Sequence, residues 1–267
     1  MAVSIAVLAS GSRGNSTLLS SSKTHILIDA GVSCREIARR LKAVGFAPDR
    51  LSAILITHEH LDHIAGLRIL AKTFSVPVFM TCATHRAWAK AHHDEKGETP
   101  AIGKLEVFAA GYKFQIGDIE ITPFTVPHDA IDPVGFTFRV EGVKVAVATD
   151  LGYLPVSVLD HLRGCEILVI ESNHDVEMLR GGPYPWSVKQ RVMSRVGHLS
   201  NDALADFFSR DYDGNAAYVV LAHISAENNH PEIARRAAEQ ALGTRRTLLC
   251  NRVLLARQDQ PLEPIQP

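Results

Sequence analysis

Residues 54–66 read ILITHEHLDHIAG, so three histidines and an aspartate fall within six positions directly after an apolar run. His58 and His60 stand two apart at the end of an extended segment. Alternate side chains of such a segment point the same way, so both imidazoles can reach one ion. Asp62 and His63 are adjacent, where LDHIAGL turns into a helix. They project in different directions and can serve a second ion beside the first. Imidazoles joined by a hard carboxylate suit Zn²⁺, Mn²⁺ or Fe²⁺ better than Ca²⁺ or Mg²⁺. A lone histidine here would read as a solvated turn residue. Four donors spaced H-x-H-x-D-H behind a buried strand do not.

Donors of this kind need strand ends to hold them, and the chain supplies strands in two groups. VSIAVLA, a hairpin over TLLSSSKTHILIDAG ending on Asp29, LSAILIT and VPVFM read as strands. Between them CREIARRLKAVGF is an amphipathic helix with Ile37, Leu41 and Val44 on one face, and GLRILAKTF and THRAWAKAHH are helical. From about Leu105 to Ala148 the chain is β-rich: KLEVF, YKFQIG, IEITPFTV, VGFTFRV and VKVAVATD follow one another with glycine turns. Beyond Leu151, EILVIES and AYVVLAH alternate with helices at 187–196, 201–209 and from about Pro231 to Leu242. The order is β-rich half, helix, β-rich half, helix, with no linker. It predicts a single domain over 1–267 of mixed α/β (α+β) class, two sheets covered outside by helices in an αββα sandwich. The tail from about 258 to 267, QDQPLEPIQP, is polar and proline-rich and is expected to fray.

At 267 residues, 46% hydrophobic and 21% charged, the composition is that of an ordinary globular enzyme. A net charge of −1 confines any nucleic-acid footprint to a local surface. Cys34, Cys82, Cys165 and Cys250 form no C-x-x-C pair and read as buried small hydrophobes of a cytoplasmic protein. The apolar opening lacks a basic leader region and reads as a first strand. No apolar run reaches the roughly 18 residues that span a bilayer, so no membrane partner is expected.

The H-x-H-x-D-H stretch resembles the signature of the metallo-β-lactamase superfamily. That resemblance implies further donors at strand ends, in order, and they are present: His128 in FTVPHDA, Asp150 in VAVATD and His223 in YVVLAH. By the resemblance, one metal takes His58, His60 and His128, the other takes Asp62, His63 and His223, and Asp150 bridges them. Asp29 matches an early aspartate that supports the site without binding metal. Two divalent ions (Zn or Mn, with Fe a further candidate) can share a water, lower its pKa towards neutrality and so provide a hydroxide. They also offset charge building on an attacked phosphoryl or carbonyl group.

Aspartate at 150 resembles the hydrolase, glyoxalase and nuclease branches, since many true β-lactamases of this fold carry cysteine there. SGSRGNS, residues 10–16, can aim backbone N–H groups and Ser12, Asn15 and Ser16 at an anion. G-S-x-G-N in this place, with HDAIDPVGF, ESNHD, GHLSN and AHISAENNHP, resembles the YycJ (WalJ) group. By residue matching, Glu171 orients His198, and His198 donates a proton to the leaving group. Ser200 and Asn201 begin a helix whose N–H groups can hold a phosphate. From Met178 to Asn201 there are four cations, Arg191 and Arg195 among them, and no acid. Trp186 and Tyr184 lie in that stretch and can stack on bases.

Asp150 and His223 are too close in sequence for the inserted domain of the β-CASP nucleases, and no long tRNA-binding arm is evident. The resemblance therefore implies a binuclear phosphodiesterase, a 5′-to-3′ exonuclease acting on double-stranded DNA, with Asp62 helping to orient the attacking hydroxide. Two alternatives stay open on the residues alone. One is a small-molecule phosphodiesterase or thioester hydrolase; the other is a metal-loaded, non-catalytic DNA-binding module. Oligomeric state is not legible.

Overall fold

Burial on both strand faces explains the continuous apolar runs. In β3 (His25–Ile28) and β4 (Ala53–Leu55), Ile26, Ile28 and Leu55 enter one core while Leu27 and Ile54 enter another. A strand sandwiched on both sides has no solvent face to mark with polar residues. The computed structural model describes residues 3–92, 102–243 and 251–267.

Two sheets result. The first has the order β1 (Ser4–Ala9), β2 (Ser16–Ser20), β3, β4, β5 (Val78–Thr81), β6 (Leu105–Phe108), antiparallel up to β3 and parallel from there. The second runs β13 (Arg252–Leu255), β12 (Tyr218–Ala222), β11 (Ile167–Glu171), β10 (Val143–Ala148), β9 (Val134–Val140), β8 (Ile119–Thr125), β7 (Phe114–Ile116). It is parallel from β10 to β13 and antiparallel elsewhere.

A central core of Ile5, Leu19, Ile28, Leu55, Phe136, Val147 and Val169 lies between the sheets. Helices α1 (Cys34–Ala43), α3 (Leu67–Phe74) and α4 (Cys82–Ala91) cover the first sheet through Ile37, Leu41, Leu67, Leu70 and Trp88. Helices α5 (Val156–Leu162), α8 (Asn201–Arg210) and α9 (Pro231–Gly243) cover the second through Val158, Leu162, Leu204, Phe208 and Ala238. The expected αββα sandwich is the observed architecture. Among the described residues three short α-helices remain, α2 (Leu61–Ile64), α6 (Val176–Gly181) and α7 (Trp186–Val192), with a 3-10 turn at Pro48–Arg50.

Several expectations need correction. The helices α5 and α6 and the strand β13 were not read from the sequence, because each is too short to set up a periodic pattern. The helix expected over 187–196 stops at Val192, and a turn closed by Gly197 N–H on Ser194 O then leads into His198. The tail expected to fray lies along β1. Leu262 N–H donates to Val7 O, Ile5 and Ile265 exchange both backbone bonds, and Ile265 is buried. Of the cysteines expected to be buried, Cys165 is, Cys34 is half-buried and Cys82 is exposed; Cys250, like His93 at the end of the helix expected over 84–93, lies outside the described residues. Among the described residues no helix is long and apolar enough to cross a membrane.

Candidate metal centre

The site is built where strands of both sheets end. Three of its residues turn the chain immediately or shortly after a strand with positive φ: Asp29 (61°) after β3, Asp150 (58°) after β10 and His223 (53°) after β12. A non-glycine residue held in this region costs of order 1 kcal/mol. The turn folds each side chain back over its strand end. The rest of the fold, not local preference, holds these three conformations.

The first sheet contributes His58, His60, Asp62 and His63 from the loop and short helix after β4. The second contributes His128 after β8, then Asp150 and His223. Potential ligand atoms of His58, His60 and His128 lie within 4.8 Å of one another, as do those of Asp62, His63 and His223. Asp150 reaches towards both sets. Its Oδ2 is 3.4 Å from His63 Nε2, and its Oδ1 is 3.5 Å from His223 Nε2 and 4.0 Å from His128 Nε2.

The donors fit divalent metal. His58 Nε2, His223 Nε2 and Asp150 Oδ2 are buried and meet no hydrogen-bond partner, a costly state that a cation between them removes. Charge agrees. Burial lowers the pKa of His223, yet the Asp150 charge, with Asp62 Oδ2 3.5 Å from its Nε2 and Glu171 on its Nδ1, raises it to about 10. Against burial, Asp150 and Asp29 likewise hold His63 well above its ordinary value. The carboxylates thus attract positive charge into a closed space, and dications compete with protons for it.

Behind the donors stand groups that fix their orientation. Asp29 accepts from Thr57 N–H at 2.9 Å and lies 2.7 Å from His63 Nδ1, which leaves His63 Nε2 for the centre. Glu171 is also within ligand range of Asp150, His198 and His223. Its oxygens are already engaged: Oε1 lies 2.8 Å from His198 Nδ1 and 3.1 Å from His223 Nδ1, while Oε2 accepts from Leu151 and Leu199 N–H. Burial works against its ionisation, but His198 holds it at about 2. Glu171 therefore orients two imidazoles.

The loop 10–16 reaches the same centre. Asn15 Nδ2 lies 3.3 Å from Asp62 Oδ2 and 3.1 Å from His63 Nε2, while its Oδ1 accepts from Gly11 N–H. Ser16 Oγ is buried without a partner, and Ser12 is exposed at the loop tip. Gly31 permits this approach, since a Cβ there would fall 1.6 Å from Asp62 O.

Four other residues expected to meet substrate have partners of their own. Ser200 Oγ caps α8 by accepting from Ala203 N–H. Asn201 is buried, its Oδ1 accepting from Ser172 Oγ at 2.7 Å and its Nδ2 donating to Asn229. Both side chains are thus engaged within the fold, at the start of α8. Arg191 Nε pairs with Asp129 beside His128, and the Arg195 guanidinium lies 4.3 Å from the Tyr153 ring centroid. Trp186 is exposed.

The sequence reading missed Thr57, which links Asp29, His58 and His63. It missed Asn173, which donates to His223 O, and Ser10, whose Oγ accepts from His223 N–H. Thr57 abuts the histidine motif and Asn173 lies inside ESNHD, so position was the available signal. Gly152 was missed too. A Cβ on it would meet Arg195 C at 2.4 Å, so only glycine lets the 194–198 turn close over the site.

Comparison with known proteins gives the same outline. The beta-lactamase superfamily domain family matches residues 24–224. The chain is 38% identical to exodeoxyribonuclease YycJ of Bacillus anthracis, with 91% of this chain and 90% of that protein covered. It is 37% identical to exodeoxyribonuclease WalJ of Streptococcus pneumoniae, with 85% and 84% covered. Among solved structures, the metallo-beta-lactamase fold protein YhfI from Bacillus subtilis superposes with a TM-score of 0.71 at 16% identity, covering 98% of this chain and 99% of that one.

Proposed function

The chain belongs to the beta-lactamase superfamily, in its YycJ/WalJ group, and from that premise we propose that it is a two-metal exodeoxyribonuclease degrading double-stranded DNA from the 5′ end. The observation that carries the reading is the placement of Asp150 between the two donor sets, which suits a pair of neighbouring dications. The metals would supply a nucleophilic hydroxide near neutral pH and offset charge on the attacked phosphoryl oxygens.

The chain's own residues do the rest. Asp62, held by Asn15, would accept a hydrogen bond from the attacking water and orient it in line. His198 has Nδ1 on Glu171, so its Nε2 is the nitrogen left to face substrate. Burial disfavours its charged form, but Glu171 raises its pKa above the ordinary value, which keeps a proton available for the departing oxygen. His128 Nδ1 lies 3.1 Å from Gly197 O, which ties the His198 turn to a ligand. Nucleic acid as the substrate class is supported by the naming of the two relatives, and duplex preference and polarity by the group resemblance.

The test is a product ladder from end-labelled duplex DNA, single-stranded DNA and RNA of matching sequence, with Zn²⁺ or Mn²⁺. Progressive release of 5′ nucleotides from duplex, absent in Asp62→Ala/His63→Ala, is expected. Intact polymers under every metal would overturn the proposal and favour a small phosphodiester or thioester at the same centre.

A further inference from the structure

The floor of the site is polar, yet the chain places large apolar side chains around its mouth. Leu61 sits between the donors His60 and Asp62 and is 70% exposed; Ile131 is 66% exposed and Val196 45%. They come from three separate segments, each anchored to the donors. Ile131 N–H donates to Glu59 Oε1 at 2.8 Å, which ties the 129–133 loop to the segment that carries His58, His60 and Leu61. His60 Nδ1 and His128 Nε2, 3.3 Å apart, join the same two segments below. Val196 precedes Gly197, whose carbonyl holds His128. Arg191, paired with Asp129, stands next to this lip.

Exposed aliphatic side chains on segments tied to one site can serve as a contact surface, because their burial against a ligand is worth about 25 cal/mol per Å². A nucleotide has the matching layout: a charged phosphate for the dication floor, and a flat apolar base one sugar away. Apolar side chains such as Leu and Ile, wedged between bases, unstack them from their neighbours. Resting on the nuclease reading above, we infer that Leu61 and Ile131, with Val196, form a lip that packs against the base of the terminal nucleotide. The lip parts that base from its partner and sets its phosphate over the metal floor. Substrate is then held through the base as well as the backbone, without discrimination between base types.

The test crosses a protein change with a substrate change. Wild type and Leu61→Ser/Ile131→Ser, both loaded with metal, are given duplex DNA whose terminal nucleotide at the degraded end is either ordinary or an abasic analogue. Loss of the base should slow wild type about tenfold. The double variant should be slowed about as much on ordinary DNA, and should no longer distinguish the two ends. Hydrolysis of methyl p-nitrophenyl phosphate should stay at the wild-type rate, as a check on the metal floor. Ordinary DNA cleaved at the wild-type rate by the variant, or undiminished sensitivity to the abasic end, would overturn the lip and leave the nuclease reading intact. Loss of small-substrate hydrolysis would also overturn it, since Leu61 and Ile131 would then be supports of the floor. DNA left intact by wild type itself would overturn the nuclease reading and the lip together.

Discussion

The floor and the rim of the site are built on opposite principles. On the floor, Asp29, His58, His63, Asp150, Glu171 and His223 are buried, and almost every polar atom is held by another site residue or aimed into the centre. At the rim, Leu61, Ile131 and Val196 are exposed, and Arg191 and Arg195 have one intramolecular partner each among the described contacts. Chemistry that needs fixed charge must be preorganised before substrate arrives. Recognition needs side chains whose best partner is the substrate. Residue type alone does not assign a group to floor or rim. Asn15 and Asn201 were both expected to face substrate, yet one borders the donors and the other, at the first position of α8, bonds Ser172 and Asn229.

The largest effect should come from the floor. Asp150→Asn keeps the side chain's shape but removes the charge shared by the two donor sets. It is expected to lower metal content, measured by elemental analysis, and to cut turnover by about a thousandfold or more, of order 4 kcal/mol. His198→Ala should instead retain both metals and lose about a hundredfold in kcat. Equal metal loss in the two variants would erase the distinction between donor and proton source.

Next comes the boundary below the floor. His174 is as buried as the donors, but its Nδ1 has no partner. Burial pushes its pKa down to about 4 from 6.5. The unfolded chain therefore takes up the proton first as pH falls. Stability from the neutral ring is complete above pH 6.5 and drains away down to about pH 4. His174→Gln should flatten that decline by about 1–3 kcal/mol, read from urea midpoints across this window. An unchanged slope would show that His174 shares the donors' charge environment.

The smallest effect belongs to the rim. Arg191→Ala with Arg195→Ala should slow DNA cleavage several-fold at low salt and reduce the slope of log affinity against log salt by about 1.8, the contribution of two phosphate contacts. Small phosphodiesters should be cleaved as before. An unchanged salt slope would mean that Asp129 and Tyr153 are the only business of these two cations.

How far the sequence could be read follows the range of the forces involved. Strand pairs, the α1 helix and the H-x-H-x-D-H motif were legible because hydrophobic periodicity and ligand spacing are local. Helices of fewer than two full turns, such as α5 and α6, were not. The tail read as loose because QDQPLEPIQP is polar. Its order depends on β1 offering an edge and on Ile265 finding the central core, contacts that only the closed sandwich creates.

By itself the sequence determined the inventory: seven nitrogen and oxygen donors at the ends of apolar strands, a resemblance to one superfamily, and the sandwich that buries those strands on both faces. Tertiary structure decided the assignments. It turned Asp29, Asp150 and His223 inward through positive-φ turns, used Glu171 to orient two rings, and engaged the Ser200 and Asn201 side chains within the fold. These outcomes depend on residues tens to hundreds of positions apart meeting where two sheets pack. A hydrogen bond forms with whatever partner that packing brings within about 3 Å, which no local pattern encodes.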